Sequence, residues 1–227
     1  MDTIKAIATF CEKHSLHYLS DEIYAMSVFG NPSYPKATKF HSVLSFDLSS
    51  HICPDRVHVL YGASKDFCVN GLRVGSFYTR NDHLRQAMLS IQPFAWEAYI
   101  VQDMWARMLE DNVWLDKFLT DNQRRLAGRY AQLTAALEKN DIPYFKRGNA
   151  GLFLMVDLRK YFQKQSDSNS REEEITEKCL KKGLMVAKGS NFVAEEVGWF
   201  RVTFTPADGA FEVGVQRLLN VLSELNR

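Results

Sequence analysis

Lys65 and Arg73 are the residues of this sequence with the clearest capacity for chemistry. They stand eight positions apart in Tyr61-Gly-Ala-Ser-Lys-Asp-Phe-Cys-Val-Asn-Gly-Leu-Arg-Val-Gly75, on a turn between two apolar runs. A lysine held just beyond a strand end, in a partly apolar setting, has its ammonium pKa lowered and becomes an amine nucleophile toward a carbonyl. An arginine close by offers a planar fork that fits a phosphate. Taken alone, a Lys-Asp pair reads as a solvated surface feature, because lysine is almost never buried unpaired. A second stretch tips the balance: Leu16-His-Tyr-Leu-Ser-Asp-Glu-Ile-Tyr24 is an apolar strand ending in Asp21, with Tyr24 three residues on.

The elements that must position these groups follow from patterning. Residues 56–61 and 74–78 are β-branched and aromatic enough for buried strands, and Gly62, Gly71 and Gly75 lie between or beside them where backbone must bend or pass close to a ligand. Residues 2–14 carry Ile4, Ile7, Phe10 and Cys11 at helical spacing and run straight into the strand that ends at Asp21. Helix then strand is half of a βαβ unit, so the chain is expected to begin inside a parallel sheet. Residues 25–55, rich in Ser, Pro, Asn and His, read as a long surface connection with at most one element, at 43–48.

Helical patterns then occupy 82–91, 93–110 and 113–139, with Pro93 suited to a first turn. Leu115, Leu119, Leu126, Tyr130, Leu133 and Leu137 form an apolar stripe along the last of these. A helix of that length commonly links domains, which places the boundary between 125 and 126. Strands at 141–146 and 152–158 flank the Gly148 to Gly151 turn, and the polar stretch 163–174 reads as a surface loop. Ser170 and Glu173 suit a capping box for a helix ending near Lys182. Short strands at 184–187 and 200–205 and a final helix at 208–225 complete a small α+β domain.

Composition bounds the function. With 46% hydrophobic and 24% charged residues the chain is globular, and 227 residues suffice to bury about 70% of the unfolded surface. A net charge of +1 without a basic block points away from nucleic acid and anionic lipid, and no apolar run is long enough to span a bilayer. The start, Met1-Asp-Thr-Ile-Lys, lacks a signal-peptide pattern, so a soluble cytoplasmic protein is expected. Cys11, Cys53, Cys68 and Cys179 show no Cys-x-x-Cys pair, which argues against a metal site or a disulfide framework and for buried reduced thiols.

Taken together, the strand ending Asp21-Glu-Ile-Tyr24, the strand leading to Ser64-Lys65 and the arginine eight residues beyond resemble the fold-type I family of pyridoxal phosphate enzymes, the class I and II aminotransferases. The subgroup most resembled is aminocyclopropane carboxylate synthase and its relatives. Matching runs extend through Gly148-Asn-Ala-Gly-Leu-Phe-Leu-Met-Val-Asp-Leu158 and Gly189-Ser-Asn-Phe192 to Gly198-Trp-Phe-Arg-Val-Thr-Phe204. The resemblance implies an α/β fold. Residues 1–125 would be the C-terminal part of the cofactor-binding large domain, an incomplete, mainly parallel sheet with helices, and 126–227 the small α+β domain.

The resemblance also implies roles. Lys65 would hold pyridoxal 5'-phosphate as a Schiff base and serve as the base for the substrate's Cα proton. Asp21 would face the pyridinium nitrogen and Tyr24 the ring's phenolic oxygen. Ser64 and Arg73 would bind the phosphate. Arg201 would grip the α-carboxylate, making small amino acids the substrate class and an aminotransferase or lyase reaction the outcome. Gly62 stands where the family usually offers a serine hydroxyl, a loss of about 1 kcal/mol in cofactor binding. Full members carry a large N-terminal portion that this sequence lacks, so a homodimer, or complementation by a separate N-terminal portion, is expected to cover the sheet. The same lack supports a rival reading, a truncated, non-catalytic remnant or partner subunit.

Overall fold

The computed structural model describes residues 2–162, 168–192 and 194–225. Residues 163–167 of the polar stretch expected as a loop, and the Ser170 side chain of the expected capping box, lie outside the described residues; the remainder of that stretch is not loop but the start of a helix, Ser168–Lys181. The chain divides into two compact units, residues 1–28 with 38–121 and residues 29–37 with 122–227.

The first unit is built on a three-stranded sheet in the order β1-β2-β3, formed by β1 (Tyr18–Asp21), β2 (Val57–Gly62) and β3 (Gly75–Thr79). The β1–β2 ladder is parallel and sets Asp21 opposite Leu60, whereas β2–β3 is antiparallel and sets Gly62 opposite Gly75. The parallel part of the expected sheet is therefore one ladder. Helix α1 (Asp2–Lys13) closes one face: Ala8 and Cys11 join Val43, Leu48, Ile52, Val57 and Val59 in a core. Each such aliphatic side chain, once buried, contributes about 1.5–3 kcal/mol. The expected apolar face of α1 is corrected, since Ile7 and Phe10 are exposed and the buried line runs through Ile4, Ala8 and Cys11. Positions 4, 8 and 11 stack on one side of a 3.6-residue helix, and positions 7 and 10 fall on its flank.

Beyond the sheet come α2 (Ala63–Asp66), α3 (Asp82–Ile91), α4 (Tyr99–Glu110) and the first third of α5 (Asn112–Lys139). The Asn81 side chain caps α3 by accepting from Leu84 N at 2.9 Å. Pro93 sits in a 3-10 turn, Gln92–Phe94, ahead of α4 rather than inside its first turn, because the backbone of Ala95 leaves the helical region.

In the second unit, the remainder of α5 buries Leu126, Tyr130, Leu133 and Leu137 against an antiparallel sheet. That sheet runs β4 (Phe153–Asp157), β6 (Trp199–Thr203), β5 (Ala187–Lys188), and it is backed by α6 (Ser168–Lys181) and α7 (Asp208–Leu225). The strand expected at 141–146 is reduced to a single bridge, Tyr144 to Val156, and that at 184–187 to the two residues of β5. Residues 29–37, expected in a surface connection, are instead part of this unit. Phe29 packs edge-on to Phe204 with ring centroids 5.9 Å apart. The buried Asn31 amide reaches Tyr130 Oη, Lys146 O and Gly148 O at 3.3, 3.0 and 2.7 Å. Among the described residues no helix is long and apolar enough to cross a membrane.

One polar feature of the first sheet sets its response to acid. His58, in the middle of the sheet and buried, shares a hydrogen bond of 2.7 Å between its Nε2 and His17 Nδ1, and its Nδ1 lies 2.8 Å from Thr79 Oγ1. Burial, and next the neighbouring His17, hold the His58 pKa below its usual 6.5. The unfolded chain therefore takes up a proton more readily than the folded one. The stability this gives is present above pH 6.5 and is lost as pH falls below it. Thermal unfolding followed between about pH 7.5 and about pH 5 is expected to show a slope of up to about 1.4 kcal/mol per pH unit from this group. His58→Gln is expected to remove that component; an unaltered slope in the variant would refute the assignment.

Candidate active site

The site grows out of the parallel ladder. Glu22 N donates to Leu60 O at 2.9 Å, so the ends of β1 and β2 emerge together at one edge of the sheet. Carboxyl ends of parallel strands are where open α/β sheets take ligands. From β2 the backbone enters the single turn of α2, on which Ser64 and Lys65 are half-buried. Lys65 Nζ lies 5.9 Å from the centroid of the Tyr24 ring. Among the described residues it has no carboxylate within ion-pair distance, and neither does Arg73. Asp21 is exposed, and its Oδ1 accepts only the amide of Ile23, two residues on, at 3.2 Å. The structure thus brings Asp21, Tyr24, Ser64 and Lys65 to one edge, with no ion pair between Lys65 and Asp21.

What holds them there is Asp66, a residue the sequence reading passed over. It is fully buried; its Oδ2 accepts from Met26 N at 2.9 Å and Tyr61 Oη at 3.0 Å, and its Oδ1 accepts from Ser27 Oγ at 2.6 Å. One carboxylate therefore clamps the segment after β1 to the end of β2. Burial, and then the Asp66 charge, push the Tyr61 phenol far above its ordinary pKa, so Tyr61 remains a donor at any physiological pH. Next along the chain, the buried Phe67 stacks on Phe118 (5.4 Å) and meets Trp105 edge-on (4.6 Å), seating the lysine turn against α4 and α5. The only sequence signal for Asp66 is that Ala63 and Phe67 flank it with apolar residues; its donors at 26 and 27 are 40 and 39 positions away.

The turn beyond is strained. Cys68 and Arg73 both have left-handed backbone, φ 56° and 57°, a conformation that costs a residue other than glycine about 1 kcal/mol or more. Arg73 is exposed and donates to Asn70 O at 2.7 Å within its own turn, leaving most of its fork open. The glycine at 62 has a spatial cause: a Cβ there would meet Ile23 Cδ1 at 3.1 Å and Val74 O at 3.3 Å. The thiols differ from expectation. All four are free, but Cys53 and Cys68 are exposed, being placed in turns, while Cys11 and Cys179 are buried. Burial pushes the Cys179 thiol up to about 11, which makes it inert.

Arg201 belongs to the second unit. On β6 it lies opposite Met155 on one side and Ala187 on the other. Its Cζ is 4.1 Å from the Phe153 ring centroid and 3.7 Å from that of Phe192. No carboxylate pairs with it among the described residues. Aromatic faces occupy the flat sides of a guanidinium and leave its in-plane N–H groups for a bidentate anion.

The donor set matches what pyridoxal phosphate needs: a free primary amine, a carboxylate, a phenol, and a hydroxyl and guanidinium for phosphate. The fold is that of the fold-type I aminotransferases. It superposes on an aromatic aminotransferase from Pyrococcus horikoshii with a TM-score of 0.79 at 22% identity, over 98% of this chain and 55% of that one. For a Thermus thermophilus aspartate aminotransferase double mutant the TM-score is 0.76 at 18% identity, over 97% and 52%.

Residues 1–218 match the family model for aminotransferase class I and II, and the chain belongs to that family, whose enzymes are pyridoxal phosphate-dependent. It is 35% identical over 216 residues to 1-aminocyclopropane-1-carboxylate synthase-like protein 1 of Mus musculus, covering 94% of this chain and 41% of that one. It is 32% identical to 1-aminocyclopropane-1-carboxylate synthase CMW33 of Cucurbita maxima, over 100% and 45%. The chain thus spans less than half the length of these relatives.

Asp66→Ala would leave Met26 N, Ser27 Oγ and Tyr61 Oη without their acceptor. Urea unfolding is expected to show a loss of about 3 kcal/mol or more, since each stranded donor costs about 1–3 kcal/mol. Lys65→Ala, which breaks no ion pair, is expected to change stability by less than about 1 kcal/mol. Equal effects of the two would contradict the division between a clamp and a free amine.

Proposed function

We propose that this chain is the lysine-bearing part of a pyridoxal phosphate-dependent enzyme of amino-acid metabolism, an aminotransferase or a lyase of the 1-aminocyclopropane-1-carboxylate synthase kind. The observation that carries the reading is Lys65, an unpaired amine at the same sheet edge as Asp21 and Tyr24. When bound, the cofactor supplies an electron sink that loosens bonds at the α-carbon of an amino acid. Lys65 would hold the cofactor through Nζ and would move the proton of the substrate's Cα. Asp21 would keep a proton on the ring nitrogen through charge. The Tyr24 hydroxyl would donate to the ring oxygen, and Ser64 and Arg73 would hold the phosphate. Arg201 takes the substrate carboxylate. Assembly as a homodimer, or with a separate N-terminal portion, is part of the proposal; exposed Phe94, Tyr99, Ile100 and Val113 of the first unit support a covered surface there.

A second reading has its own support. A Mus musculus relative, 33% identical over 224 residues, is named a probable inactive 1-aminocyclopropane-1-carboxylate synthase-like protein 2. A chain of this length that keeps the motifs without turnover is the alternative.

Addition of pyridoxal phosphate to the purified protein is expected to give a visible absorption band. Borohydride should then fix the label on the peptide containing Lys65, and Lys65→Ala should show neither. Arg73→Gln is expected to weaken pyridoxal phosphate about tenfold while leaving pyridoxal, which has no phosphate, unaffected. Labelling of other lysines at the same level in wild type and Lys65→Ala would sink the enzyme reading.

A further inference from the structure

We propose that Glu172 is a positioning residue for the carboxylate site at Arg201, acting through the segment that presents Phe192. The inference rests on the reading of Arg201 as the substrate's carboxylate anchor.

Glu172 is 1% exposed, on α6. Its Oε2 accepts from Ser190 Oγ at 2.7 Å and its Oε1 from Gly198 N at 2.7 Å. These two donors lie on either side of Phe192 in the chain. A single carboxylate therefore ties Ser190, two positions before Phe192, to Gly198, the residue just ahead of β6 and three positions before Arg201. The ends so joined leave little room for adjustment. A Cβ at Gly189 would come within 2.6 Å of Trp199 O, and one at Gly198, where φ is +102°, within 2.4 Å of Arg159 Cγ. Neighbouring bonds keep Glu172 itself in place: Thr176 Oγ1 donates to Glu172 O at 2.7 Å, and the adjacent Arg171 is bound to Tyr161 O at 3.1 and 3.0 Å.

Arg201 lacks an ion-pair partner among the described residues, so the rings of Phe153 and Phe192 are what orient its guanidinium. Phe153 belongs to β4 and is held by the ladder. Phe192 is held by a short 3-10 turn, Gly189–Phe192, whose fixture is Glu172. Loss of that fixture frees Phe192, and the guanidinium regains rotamers that must be given up again when a carboxylate binds. Affinity for the carboxylate then falls although no group that touches it has changed.

The test follows the Nε–Hε resonance of Arg201 by NMR while the full chain is titrated with L-alanine, and with ethylamine as a probe lacking the carboxylate. Wild type should respond to L-alanine and not to ethylamine, and Arg201→Gln, followed through the backbone amide of Val202 because it lacks the reporting side chain, should not bind. Ser190→Ala, at an exposed residue, removes one of the two donors to Glu172 and should raise the L-alanine dissociation constant about three- to tenfold. Glu172→Ala should do the same or more. Glu172→Gln, which keeps an acceptor for Gly198 N, should stay within about twofold of wild type. The ring-current shift that Phe192 imposes on the Arg201 resonance should shrink in parallel, a change that mere loss of stability does not produce. If Ser190→Ala and a folded Glu172→Ala bind like wild type while Arg201→Gln does not, the inference fails and the Arg201 reading stands. If Arg201→Gln binds as well as wild type, the Arg201 reading fails and the inference falls with it.

Discussion

The Asp66 carboxylate is the constraint on which the first unit turns. A fully buried charge is tolerated only when strong donors replace water, and here a backbone amide, a serine and a tyrosine do so. The donors come from two segments that are distant in sequence, 26–27 and 61, so satisfying the charge also welds them together. Lys65 and Asp66 are neighbours that share nothing: the aspartate is saturated, and its charge is not spent on the ammonium beside it. The ammonium has no ion pair with the acid next to it because that acid is occupied by other donors.

The second unit solves the same problem with another carboxylate. Glu172 is buried and both its oxygens are engaged, and what it joins is again a loop end and a strand end. In both units the apolar core supplies the bulk of the stability, while a single acid sets loop geometry to a precision that apolar contact, being undirected, does not give. The candidate ligand groups, Lys65 in one unit and Arg201 in the other, have no ion pair among the described residues, and these acids face other donors.

Much of this was readable from residue order. Helices 82–91 and 208–225 begin and end where local patterning puts them, because Asn81 and Asp208 mark their starts and apolar spacing runs unbroken to their ends. The strand ending in Asp21 and the turn bearing Lys65 were equally legible. What failed was whatever depended on distant partners. The segment 141–146 has strand composition, yet its neighbour offers one bridge and no ladder. Residues 29–37 look like loop because their polar groups find partners more than a hundred positions away. Asp66 looked like half of a surface pair, since nothing local reveals Met26 and Ser27 as its donors. Exposed Ile7 and Phe10 show the same limit: helical spacing gives a face, and only the packed sheet decides where that face is centred.

The path of the chain between β1 and β2 has a kinetic consequence. Those strands pair side by side, but the polypeptide first visits the other unit, where Asn31 bonds the carbonyls of Lys146 and Gly148. During synthesis residue 31 leaves the ribosome long before its acceptors exist. The second unit therefore cannot close vectorially, and it waits on loop closures of 115 and 117 residues. Contacts at such separation fold slowly and leave an unfinished apolar surface in the meantime.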